Sequence, residues 1–333
     1  MSLGRIVPAA VCAFLLLGGS ASAADHLTLQ LKWVTQAQFA GYYVAQAKGF
    51  YKDAGLDVTI KPGGPDIDPS QVLAAGGADV IVEWMPAALA AREKGVPEVN
   101  IAQVFQRSGL ELTCRKDSGV RTPADFRGKT LGVWFSGNEY PFLSWMSKLG
   151  YKTDGPPNGV TVLKQGFNVD PLLQKQAACI STMTYNEYWQ LIEAGMQPSQ
   201  LVVFKYEDEG VATLEDGLYS TENRISDPAM RSRLARFVKA SMRGWAYAIS
   251  HQAEAVNIVM AADTSGALNA AHQTRQMSEI AKLVEGPQKP GYLDEAAANR
   301  TVRVLLGGAS KPVITHPPTG AWTHAVWQEA FAK

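Results

Sequence analysis

Short β-prone segments alternate with helical segments through most of the chain, and this alternation constrains the fold more than any other feature. Apolar runs rich in valine, leucine and isoleucine end at glycine, proline or tryptophan, and most precede a segment with helical patterning. Repeated strand–helix units of this kind predict parallel sheets in an α/β protein. Strands are predicted at Leu27–Leu31, Leu56–Lys61, Ala78–Glu83, Asn100–Phe105, Leu110–Arg115, Thr130–Trp134, Val160–Lys164, Cys179–Met183 and Leu201–Tyr206.

Helices are predicted between these strands and throughout the last third of the chain. Proline favours the first helical turn and glycine the residue after the last turn, so both set the expected ends. The predicted helices are Ala40–Tyr51, Pro69–Ala75, one from Pro86, Tyr140–Leu149, one from Asp170, Glu187–Glu193, Met230–Ile249, Asn269–Val284 and Ala321–Phe331.

Two stretches of the chain share one outline. Leu31–Gly49 and Leu131–Gly150 both contain the end of a strand, a tryptophan, a polar loop, a helix with aromatic residues and a glycine. This weak internal similarity predicts two similar lobes rather than one continuous sheet.

The N-terminus has the three parts of a secretory signal peptide. Arg5 supplies the positive charge, Val11–Leu17 the apolar run and Ala21-Ser22-Ala23 the small-residue cleavage pattern. The apolar run is shorter than the about 20 residues of a membrane-spanning helix. We therefore expect residues 1–24 to be removed and the protein to be periplasmic, with a mature chain beginning near Ala24 or Asp25.

Charge and cysteine content exclude several other classes of protein. The 333-residue chain balances 31 basic against 31 acidic side chains, so no positive excess indicates a nucleic-acid partner. Histidines and cysteines lack the spacing of a metal site. Cys114 and Cys179 remain after cleavage; we favour two buried thiols over a disulfide, which spacing alone cannot decide.

Candidate ligand contacts follow the predicted strands, because ligands of open α/β sheets bind at the carboxyl ends of strands. In the first loop and helix these are Trp33, Gln38, Phe39 and Tyr42; packing in the core or the loop is the alternative. The loop contains no nucleophile–base pair and no metal cluster, which favours binding without catalysis.

The second half supplies polar candidates at corresponding places. Ser136, Gly137, Asn138 and Glu139 follow one strand, and Tyr185, Asn186 and Glu187 follow another. Carboxylates and amides there suit a ring N–H or an amine, although helix capping is the alternative role.

One motif begins at Trp33 and reads W-x-x-Q-A-Q-F-A-G-Y-Y-V-A-x-x-K-G-F-Y-x-x-x-G-L-D-V, and P-G-G-P-D follows at 62–66. These residues resemble a branch of ABC-importer solute-binding proteins related to fungal thiamine-pyrimidine synthase. Thr122–Val133 and Tyr185–Gly195 extend the resemblance. It implies a two-lobe periplasmic-binding-protein fold of type II-like α/β architecture, with a hinge between the lobes. Crossings near Thr113 and Gly217 would give one lobe of residues 25–112 plus 218–333 and a second of residues 113–217.

The resemblance also implies a function, with one departure. Trp84 fits an aromatic position of the relatives after the third strand, with interlobe packing as the alternative. Phe39 stands where pyrimidine-branch relatives carry a histidine, which the fungal enzyme consumes, and the enzyme's cysteine-rich iron motif has no counterpart here. A phenyl ring there would extend a flat apolar surface for a larger ligand such as riboflavin.

These implications favour a monomeric solute-binding protein without a cofactor or metal. It would pass a nitrogen heteroaromatic, either riboflavin or a thiamine-pyrimidine precursor, to an ABC permease in the inner membrane. One alternative is a thiamine-pyrimidine synthase that uses pyridoxal phosphate and iron. The other is a sensory binding module without transport.

Overall fold

Two five-stranded sheets organise the protein. The computed structural model describes residues 24–286, 288–307 and 312–332, so the predicted signal peptide lies outside the described residues apart from Ala24. All predicted strands are confirmed, with ends shifted by up to two residues, and β10 is an additional one. The strands are β1 (Asp25–Gln30), β2 (Leu56–Lys61), β3 (Val80–Glu83), β4 (Glu98–Gln103), β5 (Leu110–Arg115), β6 (Thr130–Val133), β7 (Thr161–Lys164), β8 (Cys179–Met183), β9 (Leu201–Lys205) and β10 (Gly217–Thr221).

The sheets have equivalent strand orders, β2-β1-β3-β10-β4 in the first and β7-β6-β8-β5-β9 in the second. Four strands of each sheet share one direction, while β10 or β5 runs antiparallel to both neighbours. The prediction of parallel sheets is therefore wrong at these two strands. Each is the strand that the chain enters on arriving from the other sheet, so no crossover helix sets its direction.

We call the first sheet with its packed helices the first lobe, and the second sheet with its helices the second lobe. The chain leaves the first sheet after Gln103 and joins the second at Leu110; it leaves the second after Lys205 and joins the first at Gly217. The hinge positions near Thr113 and Gly217 stay a prediction.

The helices flank both sheets. The predicted helix Ala40–Tyr51 is interrupted at Gly49, whose φ of 73° ends α1, and α8, α10 and α12 were not predicted. No helix within the described ranges is both long and apolar enough to cross a membrane. The helices are α1 (Ala40–Ala47), α2 (Phe50–Asp53), α3 (Pro69–Ala74), α4 (Met85–Glu93), α5 (Tyr140–Lys148), α6 (Asp170–Leu173), α7 (Glu187–Glu193), α8 (Glu222–Ser226), α9 (Pro228–Ser250), α10 (Gln252–Ala262), α11 (Ala270–Val284), α12 (Glu295–Leu306) and α13 (Ala325–Phe331).

A close contact between α1 and α9 fixes the loop that precedes α1. A Cβ atom on Gly41 would overlap the ring of Trp245, and one on Gly244 would overlap the carbonyl oxygen of Gly41. Only glycine permits this separation of the two helices. The 3₁₀ turn Ala37–Phe39 leads directly into α1, so this contact also positions the first candidate loop.

Cys114 and Cys179 form a disulfide, and the expectation of two free thiols is wrong. The cysteines lie directly opposite each other on the antiparallel neighbours β5 and β8, with their Cα atoms 3.9 Å apart. Strand register brings them together, and a separation of 65 residues in sequence gives no sign of that register.

Candidate functional site

A narrow cavity lies where the lobes meet, between loops that follow β1 and β3 on one side and β6 and β8 on the other. Its volume is about 30 Å³, whereas small-molecule pockets usually measure about 300–1,000 Å³. A ring-sized ligand therefore requires the lobes to separate. The cavity is lined by Lys32, Trp33, Gln36, Gln38 and Trp84 of the first lobe, and by Trp134, Asn138, Met183, Tyr185, Asn186 and Glu187 of the second.

A wider groove of about 490 Å³ opens beside the cavity and shares Trp33, Gln36 and Asn186 with it. Phe167 of the second lobe lies in this groove and remains 57% exposed. The groove therefore lies directly against the cavity and offers room for a substituent on a bound ring.

Two tryptophans from equivalent positions meet across the cavity. Trp33 follows β1, Trp134 follows β6, and their ring centroids lie 6.2 Å apart with an interplanar angle of 60°. Such an edge-to-face pair is favourable by about 0.5–1.5 kcal/mol beyond area burial. Trp134 is missing from the predicted site residues, although the shared outline of the two halves of the sequence contained the signal for it.

A buried ion pair lies at the first-lobe side of the cavity. Lys32 Nζ contacts Glu83 Oε1 at 2.5 Å and also donates to the carbonyl oxygen of Ser136 in the second lobe at 3.3 Å. Burial raises the pKa of Glu83 to about 7, and the neighbouring Lys32 ammonium opposes that rise. The ammonium also lies 5.9 Å from the ring centroid of Trp84. Lys32 therefore links the lobes in their closed arrangement.

Behind the cavity, Asp216 accepts hydrogen bonds from two lining side chains. The Nε2 of Gln38 donates to its Oδ2 at 2.8 Å, and the Nε1 of Trp84 donates to its Oδ1 at 2.9 Å. Gln38 in turn accepts from Nε2 of Gln36 at 2.6 Å. Asp216 is missing from the predicted site residues, because it precedes β10, whereas the predicted residues follow the carboxyl ends of strands.

Polar groups of the second lobe surround Glu187. Its carboxylate accepts a hydrogen bond from the backbone N–H of Met183 at 3.0 Å and one from Nδ2 of Asn186 at 2.7 Å. Burial raises the pKa of Glu187 to about 7, and these hydrogen bonds oppose that rise. Asn186 precedes α7 without a side-chain capping bond, so it does not take the alternative capping role.

His272 of α11 connects the lobes through the same asparagine. Its Nε2 lies 2.8 Å from Oδ1 of Asn186, and its Nδ1 lies 2.9 Å from a carboxylate oxygen of Glu193. Asn186 thus belongs to both the cavity lining and an interlobe contact.

The loop before α5 contributes mainly to lobe contact. Ser136 and Gly137 have φ values of 61° and 92°, and a Cβ on Gly137 would overlap Ala87 of the first lobe. Glu139 accepts a hydrogen bond from the N–H of Gly137 at 2.8 Å. Of the four predicted residues here, the structure brings Asn138 to the cavity lining, but not Ser136, Gly137 or Glu139.

Phe39 and Tyr42 lie in the core rather than in the cavity lining. Phe39 is fully buried at the end of the 3₁₀ turn, and Tyr42 packs edge-on against Trp245 with centroids 5.6 Å apart. The close approach of α1 and α9 directs both rings inward. Phe39 therefore does not extend the flat surface of the cavity as the sequence suggested.

In the described ranges, no group of three or more histidine, cysteine, aspartate or glutamate side chains is arranged to hold a metal ion. The cavity instead combines four aromatic rings (Trp33, Trp84, Trp134 and Tyr185) with amide and carboxylate groups. This arrangement suits stacking and hydrogen bonding to a flat polar ring.

Comparisons with known proteins agree with this description. A family model described as "NMT1/THI5 like" matches residues 36–255. The formylaminopyrimidine-binding protein of Halalkalibacterium halodurans is 25% identical over 72% of this chain and 71% of its own length. The riboflavin-binding protein RibY of Chloroflexus aurantiacus is 24% identical over 70% of this chain and 65% of its own length. The 4-amino-5-hydroxymethyl-2-methylpyrimidine phosphate synthase THI11 of Saccharomyces cerevisiae is 26% identical over only 44% of this chain and 42% of its own length.

Solved structures share the fold. A protein of Bordetella bronchiseptica has a TM-score of 0.71 at 20% identity and covers 92% of this chain and 96% of its own. The alkanesulfonate-binding protein SsuA of Xanthomonas axonopodis pv. citri has a TM-score of 0.63 at 14% identity and covers 86% of this chain and 92% of its own. A Candida albicans protein described as having the generic periplasmic binding protein fold has a TM-score of 0.60 at 15% identity, covering 92% and 94%. The predicted fold class is confirmed.

Proposed function

Because the chain belongs to the NMT1/THI5-like family, we propose that it is the extracytoplasmic solute-binding protein of an ABC importer and that its lobes close on a nitrogen heteroaromatic. The named functions of the binding-protein relatives support this class. Its partner would be an ABC permease in the inner membrane, and the binding protein itself would act as a monomer.

The cavity shared by both lobes is the observation that carries this proposal. Trp33 and Trp84 face it from one lobe, and Trp134 and Tyr185 from the other. A planar ring held between them would contact both lobes and so favour the closed arrangement over an open one. The interlobe contacts of Lys32 and His272 would then reinforce closure around the bound ring.

Two ligands remain candidates, and different features favour each. The small closed cavity favours a compact pyrimidine, because a compact ring requires less separation of the lobes. The adjoining groove favours riboflavin, since it would hold the sugar-like chain of that molecule outside the aromatic cluster. Phe39 no longer counts toward either ligand, because it is buried in the core.

Export is part of the same proposal. Structural disulfides form and persist in oxidising compartments such as the bacterial periplasm. The Cys114–Cys179 bond therefore supports periplasmic localisation independently of the N-terminal sequence pattern.

The enzyme and sensor alternatives lack a specific supporting observation. Phe39, which stands at the histidine of the fungal enzyme, is packed away from the cavity, and the synthase relative matches under half of the chain. A kinase or receptor retrieved with the protein, in place of a permease, would favour a sensory module.

Identification of the bound compound tests the proposal directly. The purified protein is denatured and the released small molecules are identified by mass spectrometry. Thermal shift then follows with riboflavin, hydroxymethylpyrimidine, formylaminopyrimidine and an alkyl sulfonate. We expect a heteroaromatic compound to stabilise the protein; stabilisation by the sulfonate alone would contradict the ligand assignment.

A matched pair of variants locates the site in the same assay. Trp33→Ala removes an aromatic ring from the cavity, whereas Trp322→Ala removes a half-buried ring that does not line it. We expect the first variant to lose most of the ligand-induced stabilisation and the second to keep it.

A further inference from the structure

Asp216 influences the cavity without lining it. Its carboxylate contacts the cavity only from behind, through Gln38 and Trp84, and the residue itself is 2% exposed. Asp216 also lies where the chain returns to the first lobe, one residue before β10. A change at this residue therefore reaches a ligand only through the two side chains that it orients.

The carboxylate sets the direction of a chain of amide hydrogen bonds, because an ionised carboxyl group can only accept. The amino group of Gln38 must face Asp216, and this turns the Oε1 of Gln38 toward Gln36. Gln36 must then donate its own Nε2 hydrogen to that oxygen. We call this set of residues (Asp216, Gln38 and Gln36) the carboxylate–amide chain.

The carboxylate–amide chain leaves one acceptor without a partner. Gln36 lines the cavity, and its Oε1 makes no hydrogen bond to another side chain or backbone group in the described part of the protein. Reversal of the chain would place the Gln36 amino group there instead. The charge at Asp216 thus decides whether the cavity offers an acceptor or a donor.

We propose that Asp216 is a positioning residue that sets ligand specificity, by orienting Gln36 so that the cavity accepts a hydrogen bond from an N–H or amino group of the ring. This inference rests on the function proposed above and refines it. A binding site with a polar atom rejects an analogue that lacks the matching group, because the polar atom of the site would then have no hydrogen-bond partner in the complex.

Two features make Asp216→Asn a clean test. Burial raises the pKa of Asp216 to about 6, while hydrogen bonds from Gln38 and Trp84 lower it, so the group is ionised at pH 8. Its φ of 25° lies toward the left-handed region, which asparagine tolerates better than most residues. The asparagine keeps the shape and the backbone, but its amino group can donate to Gln38 and reverse the chain.

Two pairs of compounds measure the preference by calorimetry at pH 8. One pair is 4-amino-5-hydroxymethyl-2-methylpyrimidine and its 4-methoxy counterpart, which has no N–H group. The other is riboflavin and 3-methylriboflavin, in which a methyl group replaces the ring N–H hydrogen. We expect the unaltered protein to bind the donor-bearing member of one pair at least about tenfold more tightly. Asp216→Asn should lose that preference.

Two further variants separate this role from a general effect on folding. Glu215→Gln neutralises the adjacent carboxyl group, which bonds to Ser108, Gly109 and Leu110 instead, and should keep the preference. Gln36→Leu removes the acceptor while Asp216 stays intact, and this variant should lose the preference for the donor-bearing compound. The indole ¹⁵N resonance of Trp84 should shift in Asp216→Asn and stay in place in Glu215→Gln.

The outcomes are distinct. Equal binding of both members by the unaltered protein, or a preference that survives in Asp216→Asn or Gln36→Leu, would overturn this inference alone. Failure of the unaltered protein to bind any of the four compounds would overturn both this inference and the proposed function.

Discussion

The two lobes have equivalent strand orders but are stabilised by different means. In the first lobe, α9, α10, α11 and α13 form a helical layer in contact with α1, β4 and one another. In the second lobe, short helices flank the sheet and a disulfide joins β5 to β8. The smaller lobe thus adds a covalent cross-link to its own apolar core, whereas the larger lobe adds the packing of this helical layer.

The same comparison applies to the cavity. Loops at equivalent positions supply Trp33 and Trp84 in the first lobe and Trp134 and Tyr185 in the second. Buried charge differs, however: the first lobe contributes the Lys32–Glu83 ion pair, whereas Glu187 of the second has hydrogen-bond donors but no cationic partner among the residues that the structure describes. Equivalent positions therefore supply similar stacking surfaces and different polar chemistry.

The largest predicted effect concerns the disulfide. The variant Cys114→Ala/Cys179→Ala should lower the free energy of unfolding of the second lobe by about 2–4 kcal/mol. Hydrogen exchange measured by mass spectrometry should show lost protection in β5–β9 and retained protection in β1–β4. Equal loss in both sheets would mean that the lobes unfold as one unit and that the contrast has no energetic counterpart.

The next effect concerns Glu215, which lies between the lobes. Burial raises the pKa of Glu215 from 4.5 to about 8, while hydrogen bonds from Ser108 and Gly109 oppose that rise. Between about pH 4.5 and pH 8 the unfolded chain has released this proton and the folded protein retains it. The contribution of Glu215 to the free energy of unfolding is therefore complete below about pH 4.5 and is lost as pH rises through 8.

Glu215→Gln should accordingly flatten the fall in the free energy of unfolding, by up to about 1.4 kcal/mol per pH unit in this range. Urea unfolding from pH 5 to pH 8 measures the slope. Glu209→Gln, at a half-buried carboxylate of the same connection, is the matched control and should leave the slope unchanged. A slope in Glu215→Gln as steep as that of the unaltered protein would contradict the prediction.

A smaller effect is expected from the paired tryptophans. Trp33→Ala and Trp134→Ala should each weaken binding at least tenfold, or by about 1.4 kcal/mol, with little loss of fold. Because the rings touch, the double variant should lose less than the sum of the two. Calorimetric titration with the identified ligand measures all three variants. Unchanged affinity in either single variant would remove that lobe's ring from the site.

The smallest predicted effect concerns an exposed ion pair between the lobes. Lys164 of β7 lies 3.2 Å from Asp66 of the first lobe, with side-chain exposures of 63% and 81%. Lys164→Ala should weaken ligand affinity by less than about 1 kcal/mol at low salt. The difference should disappear near 1 M salt, where charges are screened within about 3 Å. A larger loss, or one independent of salt, would mean that this contact contributes more to closure than its exposure allows.

Local patterns predicted most of the strands and helices, because caps, glycines and apolar runs act within a few residues. They did not predict β10 or the antiparallel direction of β5, since both depend on partners that are distant in the sequence. The Cys114–Cys179 bond was misjudged for the same reason.

Site residues followed a similar division. Trp33, Gln38, Trp84, Asn138, Tyr185, Asn186 and Glu187 follow strand ends and line the cavity, although their contact with a ligand stays a prediction. Phe39 and Tyr42 follow the same loop but turn inward, because the glycine contact of α1 with α9 sets the rotation of the helix. Asp216 and His272 reach the cavity region from distant elements, and no local pattern indicated them.

The position of β10 has a consequence for biogenesis. During synthesis, the second sheet has all of its strands once Lys205 has emerged, whereas β3 and β4 stay unjoined until Gly217–Thr221 follow. We therefore expect the internal part of the chain to mature ahead of the part that begins it. A chain truncated after residue 210 would retain a compact, protease-resistant middle and an unfinished start.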